Sequence, residues 1–160
     1  MRFNNLKVDM ITYTKDDKVF KGNPLFSSIG LTIIIFIVLI FFIVPDSDNH
    51  LNNHKALIIL IIPIGLILLF SYKLYYFILT DDQLIIRNHV FIWIQRTYNL
   101  NNIETFVIEQ QYKQAIALKI IDKNLDCKAY QADSLKKRVW RELIKELEGR
   151  NFEVNNTAFK

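Results

Sequence analysis

Residues 25–44, LFSSIGLTIIIFIVLIFFIV, form an apolar run without a single charged side chain. A second uncharged run, ALIILIIPIGLILLFSY, covers residues 56–72 after a short polar interval at 45–55. At a rise of ~1.5 Å per residue, the first run would make a helix of about 30 Å, which is the thickness of a bilayer's hydrocarbon core. The pair therefore predicts a transmembrane helical hairpin in which residues 45–55 form the outer loop.

Composition separates this apolar block from the remainder of the chain. Of the 160 residues, 51% are hydrophobic, and the 22% that are charged lie almost entirely outside residues 25–72. About 80 residues follow the second run, which is enough for one small domain but not for two. The sequence thus predicts an N-terminal segment 1–24, the hairpin 25–72, a domain 73–152 and a tail 153–160.

Basic residues indicate how such a hairpin would be oriented. Residues 1–24 carry Arg2 and four lysines, whereas the loop 45–55 carries Lys55 alone. Lys and Arg concentrate on the cytoplasmic side of membrane proteins, so this asymmetry places both termini in the cytoplasm. Tyrosine rings and a snorkelling lysine suit the headgroup region, and four such residues follow the second helix. We therefore predict membrane-surface contact for Tyr72, Lys73, Tyr75 and Tyr76.

Beyond residue 75 the apolar side chains recur with a period of two, which predicts β-strands. The strands are expected at residues 75–80, 84–87, 90–98, 105–109, 115–121 and 125–130. Polar residues separate them at Asp81-Asp82-Gln83, Asn88-His89 and Asp122-Lys123-Asn124. Asn tolerates positive φ, so Asn88-His89 is expected to form a tight turn.

The period then returns to that of a helix. Leu135, Val139, Leu143 and Leu147 recur every fourth residue, and Trp140 and Ile144 widen the apolar stripe. Asp133 or Ser134 would cap the start of this helix, and Gly149 would end it. Six strands followed by one amphipathic helix predict an antiparallel α+β domain.

The N-terminal segment leaves two interpretations open. Residues 8–14 alternate loosely, and Val19 and Phe20 follow a polar break at Asp16-Asp17. This stretch would either add a strand to an edge of the domain or remain disordered ahead of the first apolar run.

Motifs for catalysis, metal or nucleotide binding are missing from the sequence, which predicts a protein without enzymatic activity, cofactor or metal. His50 and His54 share i,i+4 spacing, which would suit a metal only on a helix. An Asn-rich loop is not expected to form that helix. His89, Asp81 and Asp82 are the one local acid–base group, and turn chemistry accounts for their positions. Cys127 is the single cysteine; it excludes an internal disulfide and is expected to be a small buried side chain.

The charge pattern bears on partners. The net charge is +4 and the pI about 9.1, yet basic and acidic residues are interspersed along the C-terminal half, so nucleic acid is not an expected partner. Lys136, Lys137 and Arg138 form the one basic cluster, in the first turn of the predicted helix. They either contact anionic lipid headgroups or form a solvated helix face, and the solvated face is the preferred interpretation.

Three stretches carry a resemblance to a known family. YYFILTDDQLIIR (residues 75–87), YNLNNIE (residues 98–104) and the closing helix with Trp140 are similar to the bacterial pleckstrin-homology-like (PH-like) domains that follow two transmembrane helices. The resemblance implies a bent antiparallel barrel closed by the C-terminal helix, and a location in the bacterial cytoplasmic (inner) membrane. Asn88-His89 departs from the family, whose members often carry Gly at that turn. Asp81 and Asp82 occupy the turn where eukaryotic relatives carry the basic residues that bind phosphoinositides, which argues against such a site.

These observations lead to one functional hypothesis and an alternative. The chain is expected to be a non-enzymatic, membrane-anchored PH-like scaffold that holds a protein partner, or copies of itself, at the inner face of the membrane. The alternative is direct lipid-surface binding or an oligomeric membrane function. No small-molecule substrate is evident in either case.

Overall fold

The computed structural model describes residues 17–43, 61–62, 64–66, 68–112 and 114–159. This part of the chain has α+β architecture with two four-stranded sheets. The first sheet has the order β1-β2-β3-β4 and is antiparallel throughout. Its strands are β1 (Lys18–Phe20), β2 (Tyr75–Leu79), β3 (Gln83–Asn88) and β4 (Gln95–Asn99).

The second sheet has the order β7-β6-β5-β8 and mixes two pairings. β6 pairs antiparallel with β5 and β7, whereas β8 pairs parallel with β5. Helix α1 spans Ser28–Ile43 ahead of the sheets, and helix α2 spans Lys137–Gly149 between β7 and β8. The strands are β5 (Ile103–Glu109), β6 (Ala117–Asp122), β7 (Cys127–Gln131) and β8 (Glu153–Asn156).

The core lies between the two sheets and α2. Trp140 of α2 is fully buried, with its ring centroid 5.5 Å from that of Phe77 in β2. Phe106 in β5 and Leu118 in β6 contribute from the second sheet and are likewise fully buried. Burial of an aromatic or aliphatic side chain stabilises a fold by about 1.5–3 kcal/mol, so this shared cluster joins the sheets and helix into one unit.

The predicted transmembrane hairpin is wrong. α1 contains 16 residues, which at ~1.5 Å per residue is about 24 Å and falls short of a bilayer's hydrocarbon core. Across the described parts of the chain, no helix combines the length and apolarity that a span requires. The first run is shortened because Pro24–Phe26 forms a 3-10 turn, followed by Ser27, before α1 begins.

The second apolar run ends in a 3-10 turn and not in helix. Residues 61–62, 64–66 and 68–70 are helical, and the chain then tightens into a 3-10 turn at Ser71–Lys73 that leads into β2. The predicted outer loop at 45–55 lies outside the described residues. Without a spanning helix, the predictions of a membrane anchor, of an inner-membrane location and of two cytoplasmic termini are wrong as well.

The six strands predicted between residues 75 and 130 each have a counterpart, with one large shift. β4 begins at Gln95 instead of residue 90, because residues 89–94 form a loop. Asn88 does not adopt positive φ, so the expected tight turn at Asn88-His89 is wrong. The predicted amphipathic helix is confirmed and ends at Gly149, but its N-cap is Lys136 and carries no side-chain cap.

Both ends of the described chain add strands to the domain. β1 pairs with the edge of β2, which resolves the choice left open for the segment before the first apolar run, although residues 8–14 lie outside the described residues. β8 lies within residues predicted as a tail, and its parallel partner β5 is some fifty residues earlier.

Gly22 brings the end of β1 close to the segment between β7 and α2. A Cβ placed on Gly22 would lie 1.7 Å from the carbonyl oxygen of Ser134 and 2.9 Å from the backbone nitrogen of Leu135. Only glycine permits that backbone-to-backbone approach.

Candidate interaction surface

Asn88 organises one end of the first sheet. Its side chain is 1% exposed, and its Oδ1 accepts hydrogen bonds from the backbone N–H groups of Val90 (2.9 Å) and Phe91 (3.0 Å). Its Nδ2 donates to the carbonyl oxygen of Ser71 at 2.7 Å. One buried amide therefore shapes the β3–β4 loop and ties it to the turn that enters β2.

The tip of this loop presents large apolar side chains to the outside. Ile92 is 75% exposed and Trp93 is 69% exposed, and the rings of Phe91 and Trp93 lie 5.3 Å apart. The backbone N–H of Ile94 donates to the carbonyl of Phe91 at 2.8 Å, which closes the tip as a turn. The aromatic side chains are thus displayed on a hydrogen-bonded loop.

Two lysines lie against tyrosine rings beside the loop. Lys21 Nζ is 5.4 Å from the ring centroid of Tyr76, and Lys73 Nζ is 5.4 Å from that of Tyr72. Both geometries are those of cation–π contacts. We name this surface the aromatic end and define it as Lys21, Tyr72, Lys73, Tyr76 and residues 89–94.

The aromatic end is built from stretches without acidic residues. Residues 18–45, 56–80 and 83–103 contain no Asp or Glu. Asp133 lies nearby, where its Oδ2 accepts a hydrogen bond from the backbone N–H of Ile29 (3.3 Å) and its own N–H donates to the carbonyl of Lys73 (2.9 Å). Glu109 lines a groove together with Tyr72, so the local field combines the two lysine ammonium groups with the carboxylates of Asp133 and Glu109.

His89 is held neutral at this end. Its ring lies 4.8 Å from that of Tyr76, and its Nε2 is buried with no hydrogen-bond partner among the described residues. Desolvation by burial, assisted by the positive charge of Lys21, lowers the pKa of His89 to about 4. The imidazole consequently adds apolar surface and no charge near neutral pH.

The residues predicted to contact a membrane surface differ in their exposure. Tyr72 is exposed, whereas Lys73, Tyr75 and Tyr76 are half-buried. Tyr75 packs edge-on against Tyr130 with centroids 5.3 Å apart, and burial raises the pKa of its hydroxyl. Tyr75 therefore belongs to the domain's packing more than to its outer surface.

The basic cluster of α2 begins close to Lys73. Lys136, Lys137 and Arg138 are all exposed, and Lys136 follows three residues after Asp133, whose N–H binds the Lys73 carbonyl. Arg138 Nε pairs with Glu142 Oε1 at 2.9 Å along the helix. Folding thus brings the segment that precedes the basic cluster to the backbone of Lys73.

A second surface is apolar throughout. The sequence of α1, SIGLTIIIFIVLIFFI, has no charged residue on any side. Large side chains of the 3-10 turn, α1 and the helical residues before β2 are between 36% and 69% exposed. We name them the apolar surface: Leu25, Phe26, Leu31, Ile34, Ile35, Ile37, Val38, Ile61, Ile62, Ile64, Leu68, Leu69 and Phe70.

A cleft of about 400 Å³ lies between the start of α1 and the domain. Lys73, Asp133 and Trp140 line it. The indole N–H of Trp140 has no hydrogen-bond partner in the part of the chain that the structure describes. The cleft combines one cation, one carboxylate and an aromatic wall, without a nucleophile paired to a base.

The candidate acid–base residues do not meet. Asp81 and Asp82 follow the last residue of β2, while His89 follows the last residue of β3, so the antiparallel pair holds them at opposite ends. No group of three His, Cys, Asp or Glu side chains among the described residues is placed to hold a metal ion, and His50 and His54 lie outside those residues. Cys127 is exposed, so its predicted burial is wrong.

The exposed loop tip was missed in the sequence because residues 90–98 fitted a strand. Its signal is the run Val90-Phe91-Ile92-Trp93-Ile94, five apolar residues that do not alternate. A half-buried strand alternates, so an unbroken run next to a sharp polar break indicates either a buried strand or an exposed apolar loop.

In comparisons with known proteins, no family model matches this sequence and no curated protein matches it significantly.

Proposed function

We propose that this chain is a non-enzymatic interaction module that binds further copies of itself, or a protein partner, through the apolar surface. The observation that carries the proposal is the exposure of large apolar side chains along α1, a helix without a charged residue. Helices that are apolar all round are normally buried, and monomeric proteins rarely expose contiguous apolar patches larger than a few hundred Å². A second protein surface would remove these side chains from water.

The domain supports this function as a compact scaffold. Two four-stranded sheets share one core with α2, and the start of α1 is attached to that unit through the Ile29–Asp133 hydrogen bond. A domain of the PH-like type, as the sequence resemblance implies, is the form that we propose for it; the two sheets and the helix that follows β7 support this assignment.

The proposal is tested on the full chain by light scattering after size exclusion, together with chemical crosslinking in cells. We expect assembly of the unmodified chain and at least tenfold weaker assembly of Ile35→Glu, because a buried unpaired carboxylate is costly at a protein interface. Leu125→Glu is the matched control, since Leu125 is exposed on the β6–β7 turn of the domain. A chain that stays monomeric and crosslinks to no other protein, or an Ile35→Glu variant that assembles as the unmodified chain does, would contradict the proposal.

A further inference from the structure

The aromatic end has the chemistry of a surface that meets lipid headgroups. Trp93, Tyr72 and Tyr76 have an apolar ring with a polar edge, a residue type that concentrates at membrane–water interfaces. Lys21 lies against the ring of Tyr76 and Lys73 against that of Tyr72, and each adds a positive charge. An end of the domain that carries both apolar and cationic side chains matches the two components of an anionic lipid surface, its acyl chains and its phosphates.

The shape of the patch favours a lipid surface over a small ligand. Ile92 and Trp93 are more than two-thirds exposed, so they stand outward from the sheet and do not line a cavity. Their loop is held by Asn88, which limits the conformational entropy lost when the tip enters another phase.

We propose that the aromatic end is a contact site for an anionic lipid surface, in which Ile92 and Trp93 enter the interfacial layer and Lys21 and Lys73 meet the lipid phosphates. Such a contact lies on one leaflet and requires no spanning helix. It is separate from the proposed association through the apolar surface, because it depends on the β3–β4 loop. A protein partner for the same patch is the competing outcome of the test.

Tryptophan fluorescence reports the contact directly. The chain has two tryptophans, and Trp140 is fully buried, so it provides an internal reference for Trp93. The full chain is mixed with vesicles of equimolar phosphatidylglycerol and phosphatidylcholine that carry brominated acyl chains. We expect quenching of the unmodified protein and none in Trp93→Phe, whose remaining indole is in the core.

Affinities for the same vesicles, measured by co-sedimentation, test the individual side chains. Ile92→Ala should weaken binding about fivefold because less apolar area enters the interface, whereas Leu125→Ala, with the same 75% exposure, should leave it unchanged. Lys21→Gln and Lys73→Gln should each weaken binding about fivefold, the equivalent of ~1 kcal/mol per basic residue at an anionic surface. Lys123→Gln on the β6–β7 turn is the control for charge.

Three results would overturn the proposal: no binding to these vesicles, equal binding to vesicles of phosphatidylcholine alone, or bound protein whose Trp93 is not quenched. The last result would mean that another part of the chain holds the vesicle. Self-association is measured in parallel and should be the same in Trp93→Phe, so that failure of one proposal is distinguished from failure of the other.

Discussion

The two ends of the β2–β3 pair have opposite chemistry. One end carries the aromatic loop at residues 89–94, and the other carries the turn at residues 80–83 with Asp81 and Asp82 exposed. The five paired residues of β2 separate them by about 17 Å at ~3.3 Å per residue. A short antiparallel pair is thus sufficient to keep an apolar, cationic surface away from an acidic one.

The two ends of the β2–β3 pair also differ in the hydrogen bonds of their backbone groups. At the acidic turn the backbone N–H of Thr80 donates to the Gln83 carbonyl at 2.9 Å, and Arg150 donates to the carbonyls of Thr80 and Asp81. At the aromatic end, the backbone N–H groups of His89, Val90, Phe91 and Ile94 have partners, but large apolar side chains are left outside. The backbone carbonyls of the acidic turn therefore have hydrogen-bond partners within the domain, whereas the aromatic end exposes apolar surface that is available to a partner.

The largest expected effect comes from the close backbone approach of Gly22, the residue after Lys21 of the aromatic end, to the segment before α2. Gly22→Ala should destabilise the fold by about 3 kcal/mol, because the new Cβ meets the backbone of Ser134 and Leu135 and neither can yield cheaply. Gly149→Ala is the matched control, since nothing lies within 4 Å of a Cβ there; in the last turn of α2 it should be neutral or stabilise by up to ~1 kcal/mol. Denaturant unfolding of both variants measures the difference. Equal stability of the two would show that the close approach at Gly22 is not maintained.

A smaller effect on stability should distinguish Asn88 from Asn99. These two asparagines lie at opposite ends of the first sheet, and each accepts a hydrogen bond from the backbone N–H two residues later. Asn88→Ala should cost about 2 kcal/mol, because it removes three hydrogen bonds of a buried amide and leaves their partners unpaired. Asn99, near the acidic turn, accepts from the N–H of Asn101 at 2.9 Å but is exposed, so Asn99→Ala should cost about 0.5 kcal/mol. Thermal unfolding of both variants provides the comparison. A cost for Asn99→Ala equal to that of Asn88→Ala would contradict the role given to burial.

A third effect is a pH dependence of stability that comes from His89 at the aromatic end. The pKa of His89 is lowered to about 4 in the folded chain, so between its ordinary value of 6.5 and about 4 the unfolded chain binds a proton that the folded chain does not. Stability should therefore fall as pH decreases through this window and be unaffected by His89 above it. His89→Phe, which retains a ring against Tyr76, should show a smaller fall in melting temperature between about pH 7 and about pH 5.

Glu146 provides the contrast for that measurement. Its hydrogen bond with Lys18 lowers the pKa of its carboxyl, so its contribution is present above the ordinary value of 4.5 and is lost only at lower pH. Glu146→Gln should accordingly leave the change between about pH 7 and about pH 5 unaltered. If His89→Phe also left it unaltered, the neutral burial of His89 would be refuted.

Periodicity predicted much of the domain because it reports local geometry. The alternation in residues 116–120 and the four-residue repeat from Leu135 to Leu147 correspond to β6 and α2. The same reasoning fails for residues 25–44, where apolarity predicts one continuous helix. Pro24 and Ser27 favour a separate 3-10 turn there, and hydropathy does not distinguish that turn from helix.

The candidate surface was less accessible to sequence reasoning. The position of Tyr72 and Lys73 at the end of an apolar run predicts surface contact, whereas the sequence around Ile92 and Trp93 predicts a strand. Their exposure depends on Asn88, whose amide binds both its own loop and Ser71, seventeen residues earlier. Such a side-chain contact between distant segments leaves no period in the sequence.

What the sequence by itself determined is the order of the strands and helix between residues 75 and 149, because alternation and helical repeat follow from backbone geometry alone. The tertiary structure decided which apolar residues are buried. Ile86 and Ile92 are the same side chain six residues apart, yet one is fully buried and the other is 75% exposed. Burial depends on what distant segments place opposite each residue, and the parallel β5–β8 pair and the Gly22–Ser134 approach arise from the same long-range packing.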